Sequence, residues 1–276
     1  SWWDFAVRYC DPKENKWRGG LDYNGSSNTE ELNRLLDATC MIRRLKKDVL
    51  KDLPPKTRCV VPIEMDRASR KAYQDEIDKW NEEYAAALAD GNAGGANGIL
   101  FKKAAALFGI IAERSLPAKA EWILDWLDGC DKKLIVFAHR KVMVAGLRDA
   151  IGAKRCVVVD GGCKDRQAAC ERFETDPRCR VLIGEWTAAG VGLNLTAASD
   201  VAMAELPWTP AELEQAEDRS HRYGQANPVN IWLLVTQGTK EEQLIPVLQG
   251  KKGTVGAVAD GGRNAVLSML RRPFPK

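Results

Sequence analysis

The chain has 276 residues, 45% of them hydrophobic and 29% charged, and its 41 Lys and Arg exceed 38 Asp and Glu by +3. That length supports one large or two modest domains with a proper core, and no apolar run is long enough to suggest a membrane span. The slightly basic balance permits a nucleic-acid partner without arguing for one. Eight scattered cysteines form no C-x-x-C pair and only two histidines are present, so no metal site is expected. Unpaired cysteines, with Cys59 and Cys156 in apolar runs, fit a reducing intracellular compartment. Ser1-Trp2-Trp3-Asp4 shows neither an initiator Met nor a signal pattern, as expected of an excised fragment.

Residues 1–28, rich in Gly, Asn and Trp, are expected to be irregular. A helix should open at Thr29-Glu30-Glu31 and run through Leu32, Leu35, Leu36 and Thr39 to Leu50, before Pro54-Pro55 stops it. Its far end carries Arg43, Arg44, Lys46, Lys47 and, just beyond, Lys51, a basic surface that is either solvated or set against DNA phosphates. Arg58 to Met65 reads as a strand, and about 67–89 as a helix. The glycine-rich run 91–98 then reads as a mobile loop, followed by a helix to about Arg114. From Pro117 onward the texture changes. Strands are expected near 134–138, 156–159, 180–183, 200–204 and 229–235, with helices between them. Such alternation predicts a parallel α/β sheet covered on both faces, with functional loops at the carboxyl ends of its strands. The tail from Gly250 is glycine-rich, then a short helix candidate, Asn264 to Arg271, ended by Pro273.

One helix start is well defined before any fold is assumed. Thr209 suits the N-cap, Pro210 the first helical position, and Glu212 completes a capping box. Beyond it, Gln215, Asp218/Arg219 and Arg222 fall at i, i+3/i+4 and i+7, and so share one face if the helix continues. Two guanidinium groups there suit a planar, anionic ligand such as a triphosphate, because they pair bidentately with phosphate oxygens and stay charged. A solvated charged face is the alternative from spacing alone. Trp208 either packs under this turn or stacks on a base. His221, between two arginines, is a poor general base because the neighbouring charges oppose its protonation. Upstream, Gly190 and Gly192 let backbone amides approach phosphate oxygens, while Thr187 and Thr196 offer hydroxyls. No G-x-x-x-x-G-K-[ST] run is present. Val157-Val158-Val159-Asp160, followed by two glycines, reads as a strand-to-turn rather than a metal-holding carboxylate.

Together, Gln215 to Gln225 resemble motif VI of the Swi/Snf-type DNA-dependent ATPases, a branch of superfamily 2. Thr187 to Thr196 resemble their motif V, and Leu134 to Lys141 their motif IV. Arg8 to Asp11, Asp22 to Asn28 and Arg43 to Leu50 resemble the annealing-helicase (HARP-type) branch. The resemblance implies that 116–249 is a second RecA-like lobe, that 1–115 is a mainly helical insertion before it, and that 250–276 is a tail. It implies catalytic roles for Arg222, Arg219 and Gln215, with Arg222 the better arginine-finger candidate. ATP contacts would fall on Gly190, Gly192 and Asp218, the last also orienting an arginine. DNA contacts would fall on His139, Arg140, Lys141, Thr187, Asn194 and Thr196, although a solvated helix start also accounts for 139–141. Asp160-Gly161-Gly162-Cys163 is shorter than the family's corresponding loop and lacks its hydroxyl pair. The cofactor would be ATP with Mg2+, held mainly by a first RecA-like lobe not found here, so the fragment alone should be inactive. The implied partners are DNA and that first lobe, in a nucleus or a bacterial nucleoid. A stand-alone DNA-binding or regulatory module that completes a separately encoded ATPase half is the alternative.

Overall fold

The structure, a computed structural model, describes residues 1–14, 20–23, 25–42, 50, 52–89, 93–186 and 195–249. They fall into two compact units, Ser1–Asp52 and Leu53 onward.

The first unit is more ordered than its composition predicts. Helix α1 (Trp2–Tyr9) starts on a capping box between Ser1 and Asp4. Strands β1 (Lys13–Glu14) and β2 (Leu21–Asp22) pair antiparallel, and α2 spans Thr29–Thr39. The Glu31 carboxylate accepts from Arg8 at 2.8 and 2.7 Å and from the Tyr9 hydroxyl at 2.9 Å, tying α1 to α2. These donors hold the Glu31 carboxyl below its ordinary range, the Arg8 hydrogen bonds being the largest cause. Ser27 Oγ and Asn28 Nδ2 both donate to the Arg8 carbonyl. A Cβ on Gly25 would lie 2.8 Å from the Asp11 and Cys10 carbonyl oxygens, so the turn closes only around glycine. Thus Arg8, Tyr9, Gly25, Ser27 and Asn28, which carried part of the resemblance, stitch together a region expected to be irregular. Helix α2 ends at Thr39, short of the expected Leu50, with Cys40 as its C-cap. Arg43, Arg44, Lys46, Lys47 and Lys51 lie outside the described residues, as does the expected tail helix.

The second unit is built on a six-stranded, all-parallel sheet in the order β3-β8-β7-β4-β6-β5. The strands are β3 (Lys56–Ile63), β4 (Leu134–Ala138), β5 (Cys156–Val159), β6 (Val181–Glu185), β7 (Asp200–Met203) and β8 (Val229–Thr236). Helices α3 (Arg67–Ala89), α4 (Ala93–Gly129), α5 (Lys141–Ile151), α6 (Arg166–Thr175), α7 (Pro210–Ser220) and α8 (Lys240–Leu248) surround it. Strand side chains alternate between two cores, as a period of two requires. Ile135, Phe137, Val201, Met203, Ile231 and Leu233 pack with residues of α3, α7 and α8. Leu134, Val136, Ala138, Val181 and Ile183 pack instead with Met143, Val144, Leu147 and Ile151 of α5. This is the parallel sheet, covered on both faces, that the strand–helix alternation predicts, and it agrees with the RecA-like lobe that the resemblance implies.

Three expectations change. Strand β3, expected within the first section, joins the sheet at its edge and pairs from Lys56↔Val229 to Ile63↔Thr236. Its partner is too distant in sequence for the pairing to be read locally. Helix α4 begins at Ala93, inside the expected glycine loop, because glycine weakens a helix without forbidding it. It also runs through Pro117 instead of ending near Arg114. Leu107, Phe108 and Ile111 bury its first part in one core, and Ala120, Ile123 and Leu127 its last part in the other. That burial offsets the missing backbone donor. All eight cysteines are free thiols; Cys156 is buried, which raises its pKa to about 11, while Cys59 is half-exposed.

Candidate functional site

Among the described residues, the predicted functional segments fall on the loop that follows β4, on Leu195 and Thr196, and on α7 with the turn after it. Helix α7 starts as its sequence dictates: the Thr209 hydroxyl accepts from the Glu212 amide at 3.2 Å, and Glu212 accepts from the Thr209 amide at 3.0 Å. With Pro210 at its first position, the helix enters in a fixed direction. Trp208 packs edge-on against Phe108 with ring centroids 4.7 Å apart, under the turn.

The other end departs from expectation. The helix stops at Ser220 with His221 as C-cap, so Arg222 does not continue the face of Gln215 and Arg219. It sits in a turn, where its amide donates to the Ser220 carbonyl and its carbonyl accepts from the Gln225 amide, both at 3.0 Å. Gly224, at φ +95°, lets that turn reverse. Arg222 is exposed, Arg219 and Asp218 are half-buried, and Gln215 is exposed. Burial lowers the pKa of Arg219 and the adjacent Arg222 charge lowers it further; Asp218 offsets this by less. Two neighbouring guanidinium groups, one partly desolvated, create a local positive potential that an anion would relieve.

Several residues that set this geometry carried no role in the sequence reading. The amide of Leu195 donates to the Arg219 carbonyl at 3.1 Å, and Ser220 Oγ donates to the Ala198 carbonyl at 2.5 Å. Buried Gln225 donates through Nε2 to the carbonyls of Thr196, Ala198 and Ser220 at 3.2, 3.0 and 3.3 Å. The end of the motif V segment and the residues just after it are therefore stitched to the end of α7. Thr196 lies in that stitched segment, half-buried. Thr187, Gly190, Gly192 and Asn194 lie outside the described residues. On the opposite side Glu217, fully buried, accepts from Lys56 at 2.5 Å and from Arg58 at 2.6 and 2.9 Å. His221 Nε2 lies 2.7 Å from the Pro54 carbonyl; a carbonyl only accepts, so that nitrogen carries the proton. A carboxylate two residues before an arginine gives no local sign that its partners stand on an edge strand.

The loop after β4 is organised around Glu205. This buried carboxylate accepts from the amides of His139 and Arg140, each at 2.7 Å, and from Arg140 Nη1 at 2.7 Å. Arg140 Nη2 donates further to the Ala105 carbonyl at 3.2 Å. The Arg140 guanidinium is thus engaged internally, while His139 and Lys141 are exposed. At the end of β5, Asp160 Oδ1 accepts from the Gly162 amide at 2.9 Å, a turn-forming role. Among the described residues no cluster of His, Cys, Asp and Glu is arranged to hold a metal ion.

Fold and motif order together define a RecA-like motor lobe of the helicase type. The SNF2-related domain family matches residues 5–114 and the helicase conserved C-terminal domain family matches 118–224. The chain belongs to the Swi/Snf-type branch of superfamily 2 and is similar to its annealing helicases. It is 38% identical, over 92% of its length, to SWI/SNF-related matrix-associated actin-dependent regulator of chromatin subfamily A-like protein 1 of Xenopus laevis. It is 33% identical, over 96% of its length, to DNA annealing helicase and endonuclease ZRANB3 of Homo sapiens. The chain spans 26% and 25% of those two proteins. Among solved structures, the Sulfolobus solfataricus SWI2/SNF2 ATPase core in complex with dsDNA aligns over the whole chain and 61% of its own length. That alignment has a TM-score of 0.64 at 20% identity, which shows a shared fold.

Proposed function

We propose that this chain supplies the second RecA-like lobe of an ATP-dependent DNA translocase of the annealing-helicase kind. In this reading the unit from Leu53 onward, whose sheet takes in β3, is the motor lobe, Ser1–Asp52 is a separate region before it in sequence, and 250–276 is a tail. Arg222 acts as arginine finger with Arg219 beside it, and Gln215 couples nucleotide to lobe closure. Thr196, His139 and Lys141 face the DNA backbone, as do Thr187 and Asn194; Gly190 and Gly192 approach the nucleotide. The observation that carries the reading is the pair of adjacent guanidinium groups at the end of a helix fixed at both ends.

Two arginines fit the phosphates of ATP, whose bound form supplies the transferable γ-phosphoryl group. Mg2+ would be held by groups of the facing lobe. The present residues would orient the phosphates and spread the charge that builds on them, the part of such catalysis that rests on electrostatics. DNA enters through backbone contacts, which position without reading sequence.

The test is Arg222→Lys in the assembled two-lobe enzyme. Lysine keeps the charge but loses the planar fork that spans two phosphate oxygens. The expected result is near-normal ATP and DNA binding with kcat lower by roughly 10²-fold or more. Steady-state hydrolysis at saturating DNA and ATP reads it out. Wild-type kcat would remove Arg222 from the role and leave Arg219 to be tested.

A further inference from the structure

We infer that Glu217, with Lys56 and Arg58, forms a positioning clamp that sets Arg219 and Arg222 from the edge strand of the sheet. The inference rests on the arginine-finger reading and adds residues that act on the fingers without touching nucleotide.

Helix α7 is capped firmly at its start, but Arg219 lies in its last turn and Arg222 beyond it, where helices fray. Something else must hold that end. The structure places a link on each side of Arg219, and both run to one short stretch, 54–58. Two residues before Arg219, Glu217 has 0% exposure and receives three charge-assisted hydrogen bonds from Lys56 and Arg58. Two residues after it, His221 is bound to the Pro54 carbonyl. The Glu217 contacts raise the pKa of Arg58, their hydrogen bonds being the largest cause. The strand is itself a firm base, since β3 pairs with β8 along its full eight residues.

The chemistry of the clamp matters as much as its position. Arg58 grips both oxygens of Glu217, so the carboxylate plane is fixed as well as its distance. Glu217 thus fixes the last turn of α7 from the face turned toward the sheet, while Arg219, two residues on, leaves the helix on another face.

The test uses the assembled two-lobe enzyme and a double-mutant cycle. Glu217→Gln neutralises the clamp; Arg58→Met loosens it from the strand side while Lys56 still pairs the buried carboxylate, a gentler change for folding. Each is combined with Arg222→Lys, and ATP hydrolysis is measured well below the melting temperature of every variant. The expected result for each single clamp variant is a kcat loss of roughly 10- to 100-fold, with KM for ATP within about twofold. In the Arg222→Lys background the clamp variants should cost almost nothing more, because the group they position is already compromised. Wild-type kcat in the folded Arg58→Met enzyme, or losses that multiply with Arg222→Lys, would overturn the clamp while leaving the finger reading intact. Wild-type kcat in Arg222→Lys alone would instead overturn the finger reading, and the clamp with it.

Discussion

Arg140 and Lys141 are neighbours in a basic triplet, yet their surroundings assign them opposite work. Arg140 pairs with Glu205, a buried carboxylate that also takes two backbone amides at the start of α5. Lys141 is exposed. Removing one partner of a buried pair leaves an uncompensated charge, so Arg140→Ala should destabilise the fold by about 3 kcal/mol. It should leave the salt dependence of DNA binding almost unchanged. Lys141→Ala should do the reverse, preserving stability while making the log–log salt slope shallower by about 0.9, the value for a single phosphate. Urea denaturation and DNA titrations at several salt concentrations separate the two. A shallower slope in Arg140→Ala at unchanged stability would return that arginine to the DNA surface. The same residue scale explains why Glu205, Glu217 and Gln225 escape a reading of the sequence: each acts on partners remote in the chain, and nothing local marks a carboxylate or amide as buried.

At the scale of elements, α8 opens with a buried lysine, Lys240, whose ammonium lies 5.9 Å from the Trp80 ring centroid and donates to Gln243 at 2.9 Å. Burial lowers its pKa to about 8 from an ordinary 10.5. Between those values the unfolded chain binds a proton that the folded one does not, so stability rises as pH rises through this window. Below about 8 both states are protonated and the slope vanishes. Lys240→Met should therefore be more stable than wild type at about pH 7, and its advantage should shrink from about pH 8 to about pH 10. Denaturation of both proteins across that range checks it; a constant difference would show that Lys240 titrates normally. Elements whose signals are local were legible in the sequence. Strands β4 to β8 follow from short apolar runs, and the start of α7 follows from Thr209, Pro210 and Glu212. What depended on tertiary packing was not legible. Pro117 stays helical because both flanks of α4 are buried, and β3 reveals its place only through a partner at the far end of the chain. The face expected to join Arg219 and Arg222 does not form, because the helix ends at Ser220 before the second arginine is reached.

At the scale of the whole molecule, charge is nearly balanced at +3, so any attraction for DNA must come from where the cations stand. Among the described residues the candidate phosphate contacts are few: Lys141 and His139 after β4, with the Thr196 hydroxyl before α7. The 276-residue chain should accordingly bind duplex DNA weakly, without sequence preference, and only at low salt. If about three phosphates are neutralised, the log–log slope is roughly −2.7, and affinity falls by roughly 40-fold between about 50 and 200 mM salt. Contacts to the backbone alone leave base identity unread, so duplexes of different sequence should give superimposable titrations. Fluorescence anisotropy on two unrelated duplexes across that salt range measures both quantities at once. A slope near zero would mean that apolar or base-stacking contacts dominate, with Trp208 or Tyr223 the first residues to test. A clear preference between the duplexes would mean that this lobe reads base edges as well as phosphates.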